Sequence, residues 1–180
     1  YTNSDFEFIE LQNVSAQPMP LAGFEFADGV TFTFGAQTLS PGAFVLVVAN
    51  LAAFESRYGA GWNVAGTFTG NLNNAGETVE LRGAFDELIL NFAYSPSWYP
   101  VTNGSGRSLV INNPLAAPNS WTQATSWRPS YGVGGSPGLA DPSSTVTGRH
   151  VFYNNSKFDG QNSAATVADD TAIANDKAPL

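Results

Sequence analysis

Short apolar runs, many alternating with period two and each closed within a few positions by Gly, Pro or Asn, recur along this 180-residue chain. That spacing constrains the fold more than any other feature. Successive side chains of a strand point to opposite faces, so alternation marks a strand with one dry face and one wet face. Phe6-Glu7-Phe8-Ile9-Glu10-Leu11 opens the series. Further strands are predicted at 24–26, 30–34, 44–49, 65–68, 78–82, 88–92 and 108–111, with turn signals at Asp28-Gly29, Ser40-Pro41-Gly42, Asn73-Asn74-Ala75-Gly76 and Asn103-Gly104 between them. Phe44-Val45-Leu46-Val47-Val48 is apolar on both faces and belongs at the centre of the core. One helix is predicted over 51–58, with Asn50 as N-cap and Gly59 as its stop. Seven or eight short strands spaced in this way read as an all-β sandwich.

Composition agrees with that reading and narrows the function. Eighteen Gly and 11 Pro suit a chain of tight turns, and a single Met leaves one helix former scarce. Charged residues make up only 12%, so Asn, Ser, Thr and Gln must cover the surface. Fifteen acidic residues against 7 basic ones give a net charge of −8, which excludes an electrostatic footprint for nucleic acid. With no Cys there is no disulfide, thiolate metal site or Cys nucleophile. No apolar run approaches the roughly 18 residues that insertion into a bilayer requires. The chain opens on Tyr1 and is read as a piece of a longer protein.

Aromatic density falls after Gly138, which divides the chain into a sandwich over 1–138 and a linker with an extended C-terminal segment over 139–180. Asp141-Pro142-Ser143-Ser144-Thr145 reads as the linker. Beyond it, Arg149-His150-Val151-Phe152-Tyr153 is predicted to form one extra strand, and 164–177 a weak helix.

The residues argue against catalysis. His150 is the only imidazole and sits outside the sandwich beside Arg149, so no nucleophile, base and orienting group are expected to converge. Glu7, Glu10, Glu77, Glu80, Asp86 and Glu87 have the right type for glycoside hydrolysis, but their strand and turn settings give them structural work. Glu77 in particular is expected to bind loop amides. No cofactor is expected, and one His without Cys excludes zinc. Calcium has oxygen donors available at Asp159, Asn162, Asp169 and Asp170, although their spacing does not match a twelve-residue calcium loop. Trp62, Tyr99, Trp121 and Tyr131 lie in or beside turn-rich segments and can either pack or stack on a sugar, whereas Trp98 and Trp127 are expected to pack.

The order of these signals resembles the lamin tail domain family, in its bacterial form, over residues 5–138. The marks are Glu7-Phe8-Ile9-Glu10-Leu11-Gln12-Asn13, Leu39-Ser40-Pro41-Gly42, Asn50 and Phe54, Gly70-Asn71-Leu72-Asn73-Asn74-Ala75-Gly76-Glu77, Trp98, Gly104-Ser105-Gly106-Arg107-Ser108-Leu109, Ser126-Trp127-Arg128 and Gly135-Ser136-Pro137-Gly138. The resemblance implies an immunoglobulin-like β-sandwich, a secreted or cell-surface location, and a non-catalytic module that binds or bridges protein or polysaccharide partners. Family members usually carry one more strand ahead of the first motif, and here only Tyr1 to Asp5 precede it. An edge left open at that position invites a strand from a neighbouring module or from another copy. Phe6, Phe8, Val151 and Tyr153 are the candidates for such assembly edges.

Overall fold

The computed structural model describes residues 1–142, 151–152, 157, 160–164 and 173–174. The chain divides into two compact units, Tyr1–Pro142 and Ser143–Leu180.

The first unit is an immunoglobulin-like β-sandwich with one helix. Its strands are β1 (Phe8–Gln12), β2 (Met19–Pro20), β3 (Glu25–Asp28), β4 (Val30–Thr33), β5 (Thr38–Leu39), β6 (Phe44–Val48), β7 (Val64–Thr67), β8 (Thr69–Gly70), β9 (Thr78–Arg82), β10 (Leu88–Ala93), β11 (Leu109–Ile111) and β12 (Trp127–Pro129), with helix α1 (Leu51–Tyr58) between β6 and β7. One sheet has the order β1-β6-β7 and the other β10-β9-β3-β4-β8, while β2-β5 and β11-β12 form two-stranded ladders. After β7 the chain leaves one sheet for the other: Phe68 N–H donates to Val48 O at 3.0 Å, and β8 then pairs with β4.

The doubly apolar run becomes β6, the middle strand of its sheet, and both faces of it are dry. Val45 and Val47 enter the main core with Phe26, Val30, Phe34 and Leu81. Leu46 and Val48 instead meet Phe54 of α1 in a second cluster on the opposite face. The helix forms where its caps place it. Asn50 Oδ1 accepts from Ala53 N–H at 3.1 Å, and Gly59, at φ 79°, donates to Glu55 O at 2.9 Å. A positive φ at that position suits glycine, which carries no Cβ to clash.

Two expectations are corrected here. Residues Asn3–Phe6 wind into a 3-10 helix, so Phe6 does not belong to the first strand. The cause is local: Thr2 N–H and Thr2 Oγ1 donate to Asp5 Oδ2 at 2.7 and 2.9 Å, and the Arg57 guanidinium lies 3.3 Å from the centre of the Phe6 ring. In the second unit, β13 (Val151–Phe152) pairs antiparallel with β14 (Ile173–Ala174), so Ile173 and Ala174 are strand residues within the segment expected to be helical.

Candidate functional site

In an antiparallel ladder, alternate residues turn their backbone groups toward the partner strand and away from it. Glu7 O accepts from Ala49 N–H at 2.9 Å and Asn13 N–H donates to Ala43 O at 3.0 Å, which fixes the parity of β1 against β6. Ile9 and Leu11 therefore bond to β6, and Phe8, Glu10 and Gln12 turn their N–H and C=O groups outward. Those outward groups have no hydrogen-bond partner among the described residues.

The side chains of β1 hold this edge in place. Ile9 and Leu11 pack on the main core. Phe8 points to the other face, edge-on to Phe54 at 5.9 Å and to Tyr58 at 6.1 Å. Glu10 lies on the same face, half-buried, and accepts the Gly138 N–H. Burial pushes the Glu10 carboxyl up to about 7; the Gly138 bond opposes that rise and the Asp141 charge adds to it.

Gly138 belongs to a strap, residues 134–141, that lies over this face. Tyr58 Oη donates to Gly134 O at 2.7 Å, and a Cβ on Gly138 would sit 2.6 Å from Trp62 Cε3, so only glycine fits against the indole. Asp141 locks the far end. Its carboxylate pairs with Arg128, accepts from Ser136 Oγ at 2.6 Å and from Tyr131 N–H at 3.0 Å, and its side chain is only 5% exposed. Burial alone would raise its pKa, but the Ser136, Arg128 and Tyr131 bonds outweigh burial and hold it below the ordinary carboxylate range. Asp141, read from composition as the start of a linker, is an anchor of the first unit.

The remaining acids also serve loops. Glu7 Oε2 accepts from Leu72 N–H at 2.8 Å, and Glu77 Oε1 accepts from Asn73 N–H at 2.7 Å and from Tyr94 Oη at 2.9 Å. Glu77 thus binds loop amides, as its turn position predicted.

The aromatic candidates are not brought together into a single ligand platform. Trp127 is buried and stacks on Phe92 with centroids 4.8 Å apart, and Trp121 stands edge-on to both rings. Trp127 Nε1 donates to Trp121 O at 2.7 Å, and Tyr99 Oη donates to Trp127 O at 2.8 Å and to Ala124 O at 3.1 Å. Tyr99 and Trp121 are therefore committed to internal packing. Trp62 donates to Tyr58 O at 2.9 Å and supports the strap. Tyr131 alone of the four is exposed, at 65%.

Of the metal candidates, Asp159, Asp169 and Asp170 lie outside the described residues, as do His150 and Tyr153. Asn162 Oδ1 accepts from Ala164 N–H at 2.9 Å. Among the described residues no group of three or more His, Cys, Asp or Glu side chains could hold a metal ion. Val151, an assembly candidate, has its backbone paired with Ala174 inside its own unit. Sequence reasoning missed the strap and its anchors, Glu10, Arg128 and Asp141, because their partners are distant in sequence.

A family model for the lamin tail domain matches residues 1–95. The chain belongs to the lamin tail domain family. The match spans both sheets from β1 to β10, including the open edge of β1, while the strap and the Trp127 cluster lie beyond it. The lamin tail domain is an immunoglobulin-like, non-enzymatic domain, in keeping with the sandwich described above. No curated protein matches the chain. No helix among the described residues is long and apolar enough to cross a membrane.

Proposed function

We propose that this lamin tail domain is a non-catalytic recognition module of a secreted or cell-surface bacterial multidomain protein, and that its partner adds a β-strand to the outer edge of β1. The observation that carries this reading is the row of outward N–H and C=O groups on Phe8, Glu10 and Gln12. Such a row is a template: main-chain bonds to an added strand give affinity, and the flanking side chains give specificity. A protein strand suits the site better than a polysaccharide, since Trp62, Tyr99 and Trp121 are engaged inside the domain and leave Tyr131 as a lone exposed ring among the four.

Proline at position 12 provides the test. Gln12 is exposed and its N–H points outward, so Gln12→Pro removes a donor that an added strand needs and spares the ladder to β6. The wild-type chain is expected to bind a subset of an array of short extended peptides, and Gln12→Pro to lose them while its unfolding midpoint stays close to wild type. Peptide binding that survives in Gln12→Pro, or a glycan array bound in place of peptides, would overturn the reading.

The same edge supports a second reading, in which copies add strands to one another and build an extracellular oligomer or fibre. Light scattering across a wide concentration range separates the two, since a monomer throughout excludes self-assembly. Repeating it with calcium and then with chelator tests Asp159, Asn162, Asp169 and Asp170 as ligands of a metal-dependent joint.

A further inference from the structure

The turn between β9 and β10 presents Phe85 at 92% exposure, with Leu88 at 59% and Ile89 at 37% beside it. Single exposed apolar side chains are ordinary, but three in one short segment make a patch that asks for a partner. The two β10 residues reach solvent together because the pairing with β9 shifts register between Leu88 and Leu90, which breaks the alternation.

The turn is built to hold Phe85 in place. Gly83 N–H donates to Glu87 O at 2.8 Å, Asp86 N–H to Gly83 O at 3.0 Å, and Phe85 N–H to Glu87 Oε2 at 2.9 Å. Arg82 bridges Glu80 at 2.5 Å and Asp86 at 2.6 Å, with Asp86 in the left-handed region at φ 65°. A Cβ at Gly83 would run into the Glu87 carboxylate. Asp tolerates the left-handed conformation that this turn requires, so these bonds fix the backbone that carries Phe85.

Charge then selects the partner. Asp86 and Glu87 are exposed at the rim of the patch, Asp86 at 76%, while Arg82 is shared between Asp86 and the mostly covered Glu80, which leaves the turn net negative. A second copy of the first unit carries 11 acidic side chains against four Arg, so it brings more negative charge to that rim rather than its complement. Its basic residues are Arg57 over the Phe6 ring, Arg82 itself, Arg107 on the Ser130 and Tyr131 carbonyls, and Arg128 on Asp141. We infer that the β9–β10 turn is a second docking surface, for a different protein whose apolar pocket, rimmed by Lys or Arg, takes Phe85 as its anchor. The inference rests on the reading of the domain as a recognition module and deepens it, since a module that bridges two partners needs two surfaces.

The test uses the full chain and a synthetic amphipathic peptide with a Leu face rimmed by Lys, and the same peptide with Glu in place of Lys. The Lys peptide is expected to bind the wild type, to perturb the amide spectrum at 85–89, and to lose about tenfold or more in affinity to Phe85→Ser, the scale of a truncated aromatic anchor. The Glu peptide should not bind, and Phe85→Ser should unfold at the wild-type midpoint because the ring is almost fully exposed. Equal affinity of Phe85→Ser for the Lys peptide, or no binding by the wild type, overturns the inference. So does self-association, or binding to phosphatidylcholine vesicles, that Phe85→Ser abolishes. Gln12→Pro keeps the failures apart: if it still abolishes extended-peptide binding while Phe85→Ser changes nothing, the turn fails as a docking surface and the β1 reading stands.

Discussion

Glu10→Gln should stabilise the domain above neutral pH and do almost nothing near pH 5. Burial raises the native Glu10 carboxyl from 4.5 to about 7, so between those values the native state holds a proton that the unfolded chain has released. Stability therefore falls as pH rises through that window and levels off above it. For a fully enclosed carboxyl that difference amounts to about 3 kcal/mol. Glu10 is only half-buried, so solvent screening brings its share down to about 1–2 kcal/mol. The glutamine side chain of the variant keeps the shape and an oxygen for the Gly138 N–H, and it does not titrate. The charged groups facing the site, Asp141 and its partner Arg128, are the same in both proteins. Burial also raises Glu7, against the Leu72 bond and with the Glu77 charge, but that contribution is common to both proteins and cancels in the difference. The assay is urea unfolding followed by Trp fluorescence, since Trp62, Trp98, Trp121 and Trp127 all lie in Tyr1–Pro142. The variant should exceed wild type by about 1–2 kcal/mol at pH 8 and by little at pH 5. A variant less stable than wild type at pH 8 would refute the reasoning, because the bond from Gly138 to the carboxylate would then outweigh the cost of burial.

Two further substitutions probe the packing behind the open edge. Phe54→Ala empties the centre of the second cluster, where Phe54 is 0% exposed, and should cost about 3–5 kcal/mol in the same urea assay. Arg128→Met leaves the Asp141 carboxylate buried without its cation and should cost about 3 kcal/mol at pH 7, a deficit that shrinks in acid as the variant's Asp141, no longer held down by the guanidinium, takes up a proton before the wild-type one does.

Local signals located nearly every main element of the sandwich. All eight predicted strands overlap observed ones, from β1 to β11, and the caps on α1 fell where Asn50 and Gly59 placed them. Strands β2, β5, β8 and β12 stayed hidden because two or three residues carry too little alternation to be read, and Pro20 argues against a strand when seen alone. Phe6 was drawn into the first strand by its neighbours' pattern, whereas the Thr2–Asp5 bonds are a short-range competitor that wins locally. The strap was illegible for a different reason. Glu10 and Gly138 are 128 positions apart, and composition around Asp141 suggested a linker when its energetics come from Arg128, Ser136 and Tyr131. Tyr99 and Trp121 showed the same limit, because loop position cannot reveal that one binds the Trp127 carbonyl and the other packs on the Trp127 ring.

The outer edge of β1 can be read residue by residue from amide hydrogen exchange in the free chain. Ile9 and Leu11 donate to β6 and should exchange only with unfolding of the domain, while Phe8, Glu10 and Gln12 point outward and should exchange orders of magnitude faster. Added extended peptide should slow those three amides and leave Ile9 and Leu11 unchanged. Slow exchange at Phe8, Glu10 and Gln12 in the free chain would mean that the edge is already paired, and would contradict the account.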